Sequence, residues 1–171
     1  MIASLLLAHG ASGTSVTMRP HVDGLHARGI PATAIDVPRG SADRALPVYR
    51  GLLAASERPV VIGGHSFGGR VASLLAAEDG AGIAGLVLFS YPLHRPGHPD
   101  DLRVEHWPRI TCPVLLLSGE SDQFARVELL RQSVALLPDA ELVTYPRVGH
   151  GVGPVLDDAL DHVAAFVRRV G

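Results

Sequence analysis

Six apolar runs, each bounded by turn residues, recur along the chain: "IASLLLA" (2–8), "ATAIDV" (32–37), "PVVIGG" (59–64), "AGLVLFS" (84–90), "PVLLLSG" (113–119) and "AELVTYP" (140–146). Most are continuously apolar rather than alternating, which is the pattern of strands covered on both faces. Amphipathic stretches stand between them, over residues 15–29, 42–57, 67–78, 125–137 and 154–170. In the last of these, Val155, Leu156, Ala159, Leu160, Val163, Phe166, Val167 and Val170 fall on one helical stripe. Asp157, Asp158 and Asp161 occupy its first half and Arg168 and Arg169 its last turn, as a helix dipole favours. Strand and helix in alternation predict an α/β fold: about six mainly parallel strands with helices on both faces. No linker composition interrupts the 171 residues, so 1–171 reads as a single domain. One segment breaks the rhythm, "YPLHRPGHPDDLRVEHWPR" (91–109), where four prolines and three histidines without periodicity predict a loop.

Charge and composition exclude several kinds of chemistry. Hydrophobic residues make up 47% and charged residues 19% of the chain, ordinary for a packed globular protein. The formal charge is −2 and the arginines are dispersed, so no nucleic-acid-binding stripe is expected. All 15 basic residues are arginine, which rules out a Schiff-base, Walker-type or kinase-type lysine. Cys112 is the single cysteine, so no intrachain disulfide can form. The first apolar run is too short for a membrane span and lacks a basic region before it. These features predict a cytoplasmic setting and no membrane partner.

The third run leads into "GGHSFGGRVAS". Gly64-His65-Ser66-Phe67-Gly68 fits the G-x-S-x-G nucleophile elbow, a sharp strand-to-helix turn whose flanking residues must be nearly free of side chains. The turn presents Ser66 at a helix N-terminus, where free backbone N–H groups face any developing negative charge. A serine hydroxyl is a weak nucleophile and needs a base, and the base needs an orienting acid. In this kind of fold the chain order is serine, acid, histidine, each on a loop after a strand. "GESDQFA" follows the fifth run and supplies Asp122, with Glu120 as the second choice. "RVGHGVGP" follows the sixth and supplies His150 between two glycines. The oxyanion donors expected are the N–H of Phe67 and that of Ala11, with Gly10 second, where the first run ends in "HGASG". His9 reads more simply as a loop-ordering hydrogen-bonding residue than as a catalytic one.

With those residues in place, the sequence resembles the α/β-hydrolase superfamily over essentially its whole length. More narrowly it resembles the small dienelactone-hydrolase-related group that includes the testis-expressed hydrolase-like proteins, through "HGASG", "GGHSFGGRVAS", "YPLHRPGHPDDLRVEH" and "GESDQF". The resemblance implies a minimal α/β-hydrolase fold without a large lid, and a Ser66–Asp122–His150 triad. Dienelactone hydrolases proper use a cysteine nucleophile, whereas Cys112 precedes a strand and reads as a core residue. Some members of the narrower group have lost catalytic residues and act as interaction modules; this chain keeps all three.

The expected activity is therefore that of a serine hydrolase, carboxylesterase-like, cleaving a small acyl compound without a cofactor. Acyl transfer, thioester or peptide cleavage by the same triad, or a non-catalytic interaction module, are the alternatives. His9, Gly10, His65, Tyr91, His94 and Arg95 are expected around the substrate cleft; Arg95 and Arg103 read more simply as solvated surface arginines than as partners of an anionic group on the substrate. Arg70, in the first turn after the elbow, is expected in a structural ion pair. His94 and His98 are four apart, but Pro96 and Gly97 between them rule out a helical metal pair, and no metal is expected. A homodimer is compatible with so small a fold.

Overall fold

The computed structural model describes residues 1–171. Six strands form one sheet: β1 (Ser4–Ala8), β2 (Ala32–Ile35), β3 (Val60–His65), β4 (Gly85–Phe89), β5 (Val114–Gly119) and β6 (Ala140–Tyr145). Their order is β2-β1-β3-β4-β5-β6, and all five pairings are parallel. Five helices cover the sheet: α1 (Arg19–Ala27), α2 (Ala42–Ala54), α3 (Phe67–Ala76), α4 (Val127–Ser133) and α5 (Leu156–Val170). The helical stretch expected over 125–137 ends in a 3-10 turn (Val134–Leu136), and a second 3-10 turn (Gly153–Val155) leads into α5. Shortened helices are expected where Pro and Gly lie near the ends, as Pro138 and Gly153 do here.

The pleat divides the strand residues between two cores. Leu6, Ala8, Val60, Ile62, Leu86, Leu88, Val114 and Leu116 face α2, α3 and α4. Leu5, Leu7, Val61, Val87, Phe89, Leu115 and Leu117 face α1 and α5. Alternate residues thus go to opposite faces and both faces are covered, which explains the continuously apolar runs. Tyr49 of α2 carries a polar group into the first core. Its hydroxyl accepts the Gly63 N–H at 2.9 Å and lies 2.9 Å and 2.8 Å from the Leu6 and Gly63 carbonyls. Burial pushes the phenol well above its ordinary range, so it stays a neutral donor.

Between β4 and β5 the chain inserts no lid. The segment 91–109 packs down instead, with Tyr91, Leu93, His94, His106 and Trp107 buried and one 3-10 turn at Trp107–Arg109. Cys112 is half-buried against the first core, and burial pushes its thiol up to about 11. No helix is long and apolar enough to cross a membrane.

Candidate active site

The C-terminal ends of β1, β3, β5 and β6 converge on one patch. At the end of β3 the chain turns into α3 through Ser66, whose φ of 47° and ψ of −114° lie in the sparsely populated left-handed half of backbone space. The turn is tight enough to exclude side chains on either side. A Cβ on Gly64 would lie 2.5 Å from the Ala8 carbonyl oxygen, and one on Gly68 would press into the carbonyls of Ala8 and His9. The Ser66 N–H is fixed by the Phe89 carbonyl at 2.9 Å. The backbone is therefore clamped between β1 and β4 while the side chain stands free.

The Ser66 hydroxyl donates to Nε2 of His150 at 2.8 Å. On the far side of the ring, Nδ1–H donates to the Asp122 carboxylate, at 2.8 Å to Oδ2 and 3.0 Å to Oδ1. The Asp122 side chain is fully buried, while the His150 ring keeps 20% of its surface exposed. Asp122 Oδ1 also accepts the Phe124 N–H at 2.8 Å, which fixes the carboxylate's direction. Glu120, the second choice of acid, points elsewhere: it accepts from the Thr144 hydroxyl at 2.8 Å and pairs with Arg131 at 3.3 Å.

The loops carrying acid and base are built against each other. The Ser121 N–H donates to the Val148 carbonyl at 2.9 Å, and Glu120 N–H donates to Tyr145. Only a glycine fits at 119, because a Cβ there would collide with the Val148 and Gly149 carbonyls. The Phe124 ring lies against His150 with centroids 4.3 Å apart, shielding one face of the imidazole.

The other residues expected here divide into two groups. Gly10, Ala11, His65 and Ser66 line a cleft of about 480 Å³ together with His150. A Cβ on Gly10 would sit 2.9 Å from the His65 ring, which would have to shift to admit it. The Ala11 N–H has no backbone acceptor, and Phe67 opens α3, where a first-turn N–H has no intrahelical partner.

For four residues it is the expected place around the cleft that is corrected, since none of them lines it. His9 is buried beneath the cleft, where Nδ1–H donates to the Gly10 carbonyl and Nε2 accepts the Val37 N–H. It orders the loop, and its ring does not reach the cavity. Tyr91 is buried and its hydroxyl donates to the Arg103 carbonyl at 2.6 Å. His94 is buried with both ring nitrogens engaged, to the Arg95 carbonyl and the Arg126 N–H. Arg95 is turned outward to Asp101 at 3.4 Å. A fifth correction concerns Arg70, which has no ion-pair partner and instead lines a second cavity, of about 450 Å³, on the other side of Ser66.

The sequence reasoning missed His21. It sits in the first turn of α1, just after Pro20, and lines the His150 cavity with its ring edge-on to Phe89 at 4.9 Å. The start of a helix that follows a strand lies at the strand's C-terminal end, and that was the available signal.

Burial holds His21 at about 4. Burial, and then the neighbouring His150, hold His65 at about 4 as well. Both stay neutral at neutral pH, so neither opposes an imidazolium on His150. The consequence for stability follows from proton linkage. The unfolded chain has ordinary histidines near 6.5 and binds more protons than the fold between pH 6.5 and 4. The stabilisation is complete above about pH 6.5 and is lost as the pH falls toward 4, by up to roughly 3 kcal/mol for each histidine. The urea midpoint at pH 4.5 should therefore lie clearly below that at pH 7. An unchanged midpoint would mean that these rings are solvated.

Comparison with known proteins places this geometry in a family. An alpha/beta hydrolase domain family matches residues 1–165. Among solved structures, the fold superposes on a monoacylglycerol lipase from Paleococcus ferrophilus with a TM-score of 0.84 at 16% identity, covering 99% of this chain and 97% of that one. An esterase from Pyrococcus furiosus gives 0.83 at 17% identity, with 99% and 82% covered. A pyrethroid hydrolase from Sphingobium faniae gives 0.75 at 16% identity, with 98% of each chain covered. At these identities the likeness shows a shared fold, and it is the family match over nearly all of its length that decides. The chain belongs to the alpha/beta hydrolase family.

Proposed function

We propose that this protein is a serine hydrolase that cleaves a small ester or related acyl compound through an acyl-enzyme. The observation that carries the reading is the unbroken chain Ser66 Oγ–H to His150 Nε2, and His150 Nδ1–H to the buried Asp122 carboxylate. As Ser66 Oγ bonds to the substrate carbonyl carbon, His150 takes its proton as general base and Asp122 stabilises the imidazolium. In this reading the Phe67 and Ala11 N–H groups bind the oxyanion. His150 then gives its proton to the leaving oxygen as the ester C–O bond breaks. Water, activated by the same imidazole, adds to the acyl carbon and frees Ser66. No step calls for a cofactor. The lipase, esterase and pyrethroid hydrolase of like fold favour an acyl substrate over other chemistry. The sequence blocks resemble those of the dienelactone-hydrolase-related group, with serine in place of cysteine, which supports the acyl-cleaving reading, and the lone Cys112 suits the cytoplasm.

The test is covalent. Incubation with a fluorophosphonate probe, read by intact mass and peptide mapping, should give one adduct per chain on Ser66. The adduct should vanish in Ser66→Ala and form far more slowly in His150→Ala. A folded protein that takes up no probe would be a non-catalytic member of the family.

A further inference from the structure

The second cavity holds two guanidinium groups that have no carboxylate partner. Arg70 lies one turn beyond Ser66 on α3, and Arg103 comes from the segment after β4. Both are half-buried and both line the cavity, along with Ser66, Phe67 and Ala11. Arg70 Nε is buried without a hydrogen-bond partner, and Arg103 Nη1 reaches only the Pro92 carbonyl, at 3.5 Å. Asp43, exposed at the rim, also lines the cavity and pairs with neither. Leaving buried guanidinium donors unsatisfied is costly, and setting two like charges at one cavity adds to that cost. Burial, and then the Arg70 charge, hold the Arg103 guanidinium below the usual arginine range.

The backbone that carries the two arginines is nevertheless braced by hydrogen bonds. The Ser73 hydroxyl donates to the Arg70 carbonyl at 2.7 Å and is itself 2.8 Å from Nε2 of buried His106. Tyr91, buried beneath, donates to the Arg103 carbonyl. This network of neutral buried groups ties the segment after β4 to α3 and fixes the origin of both side chains.

The position of His150 gives the cavity a direction. His150 lines the first cavity and not the second, while Ser66 and Ala11 line both. A leaving oxygen must lie beside the imidazole that protonates it, so the leaving group belongs in the first cavity. The acyl remainder then extends into the second. We propose that Arg70 and Arg103 form a subsite for a carboxylate on the acyl half of the substrate, which makes the substrate class half-esters of dicarboxylic acids. A planar guanidinium fork matches a carboxylate through paired N–H donors. This assignment rests on the hydrolase reading above. Turnover releases the free dicarboxylate: Oγ–C forms and C–O breaks, then water replaces Oγ.

The test compares mono-4-nitrophenyl succinate and glutarate with 4-nitrophenyl butyrate and valerate, corrected for spontaneous hydrolysis. The native protein should favour each anionic ester over its neutral counterpart by at least about tenfold in kcat/KM. Arg70→Gln and Arg103→Gln should each lower that ratio about tenfold or more, and Arg103→Lys should lower it less, because charge is kept but the fork is lost. Glutarate titrated into the protein, followed by NMR, should bind the native chain and not the folded double variant. A ratio near one, or one that the substitutions leave unchanged, overturns the subsite while leaving the hydrolase reading intact. If no ester is cleaved and Ser66 takes no probe, the hydrolase reading fails and the glutarate titration decides the subsite alone.

Discussion

Ser66→Ala is expected to lower acyl-ester turnover by at least about 10⁴-fold, and Asp122→Asn by about 10³- to 10⁴-fold, with neither variant losing its fold. On the proposed mechanism the serine variant loses the atom that forms the acyl-enzyme, leaving only the proposed oxyanion donors and a bound substrate open to water. The asparagine variant acts by a less direct route. Asp122 Oδ1 accepts the Phe124 N–H, and an asparagine keeps that bond through its own carbonyl oxygen. Its NH₂ then faces His150 Nδ1, where the carboxylate had accepted a proton. The ring responds by carrying its proton on Nε2, the atom that must take the proton from Ser66. The base is thus present, in place and in the wrong tautomer. Steady-state kinetics on one activated ester, beside circular dichroism of each variant, checks both. Turnover within tenfold of the native rate in either variant would remove that residue from the mechanism.

The largest effect on stability is expected at Gly68. A Cβ there meets the carbonyl oxygens of Ala8 and His9, which are backbone atoms of β1 and its following loop and cannot turn aside. Gly68→Ala should therefore cost several kcal/mol, on the order of 4, beyond the usual range for a single methyl group. Gly51 provides the contrast, in the exposed last turns of α2 with nothing within 4 Å of a Cβ. Gly51→Ala should stabilise by about 0.5–1 kcal/mol, the ordinary helix preference. Urea unfolding of the two variants, read by the midpoint, separates a glycine required by close approach from one that is not. A Gly68→Ala protein as stable as the native chain would mean that the elbow relaxes freely.

The sheet was legible because strands buried on both faces leave continuous apolar runs, and six such runs gave six strands. Placing Ser66, Asp122 and His150 together was legible for another reason: each follows a different strand, and parallel strands bring their C-terminal ends to one side. The segment 91–109 was less readable. Its histidines and tyrosine look in sequence like cleft residues, yet Tyr91 and His94 satisfy their polar atoms internally and buried His106 turns Nε2 to Ser73. Sequence cannot separate a polar group that meets substrate from one that braces a loop, since both need a partner and only packing says which. Arg70 shows the converse. A first-turn arginine suggests an ion pair, but whether a carboxylate reaches it depends on the tertiary path of other segments. The unpaired arginine is what distinguishes the second cavity.

The sheet's order bears on how long a prepared site stays competent. β3, which leads to the serine, is hydrogen-bonded on both flanks, whereas β6, which leads to His150, is a terminal strand with a neighbour only at β5. Opening free energies within one protein range from near zero at frayed margins to the full global value at the centre. Ser66 therefore follows an interior strand of the sheet and His150 an edge strand. A transient opening of that margin would separate imidazole from hydroxyl while the interior stays closed. Heat or denaturant should therefore end the proposed hydrolysis before it melts the fold, and a spectroscopic melting curve will overstate the working range of that activity.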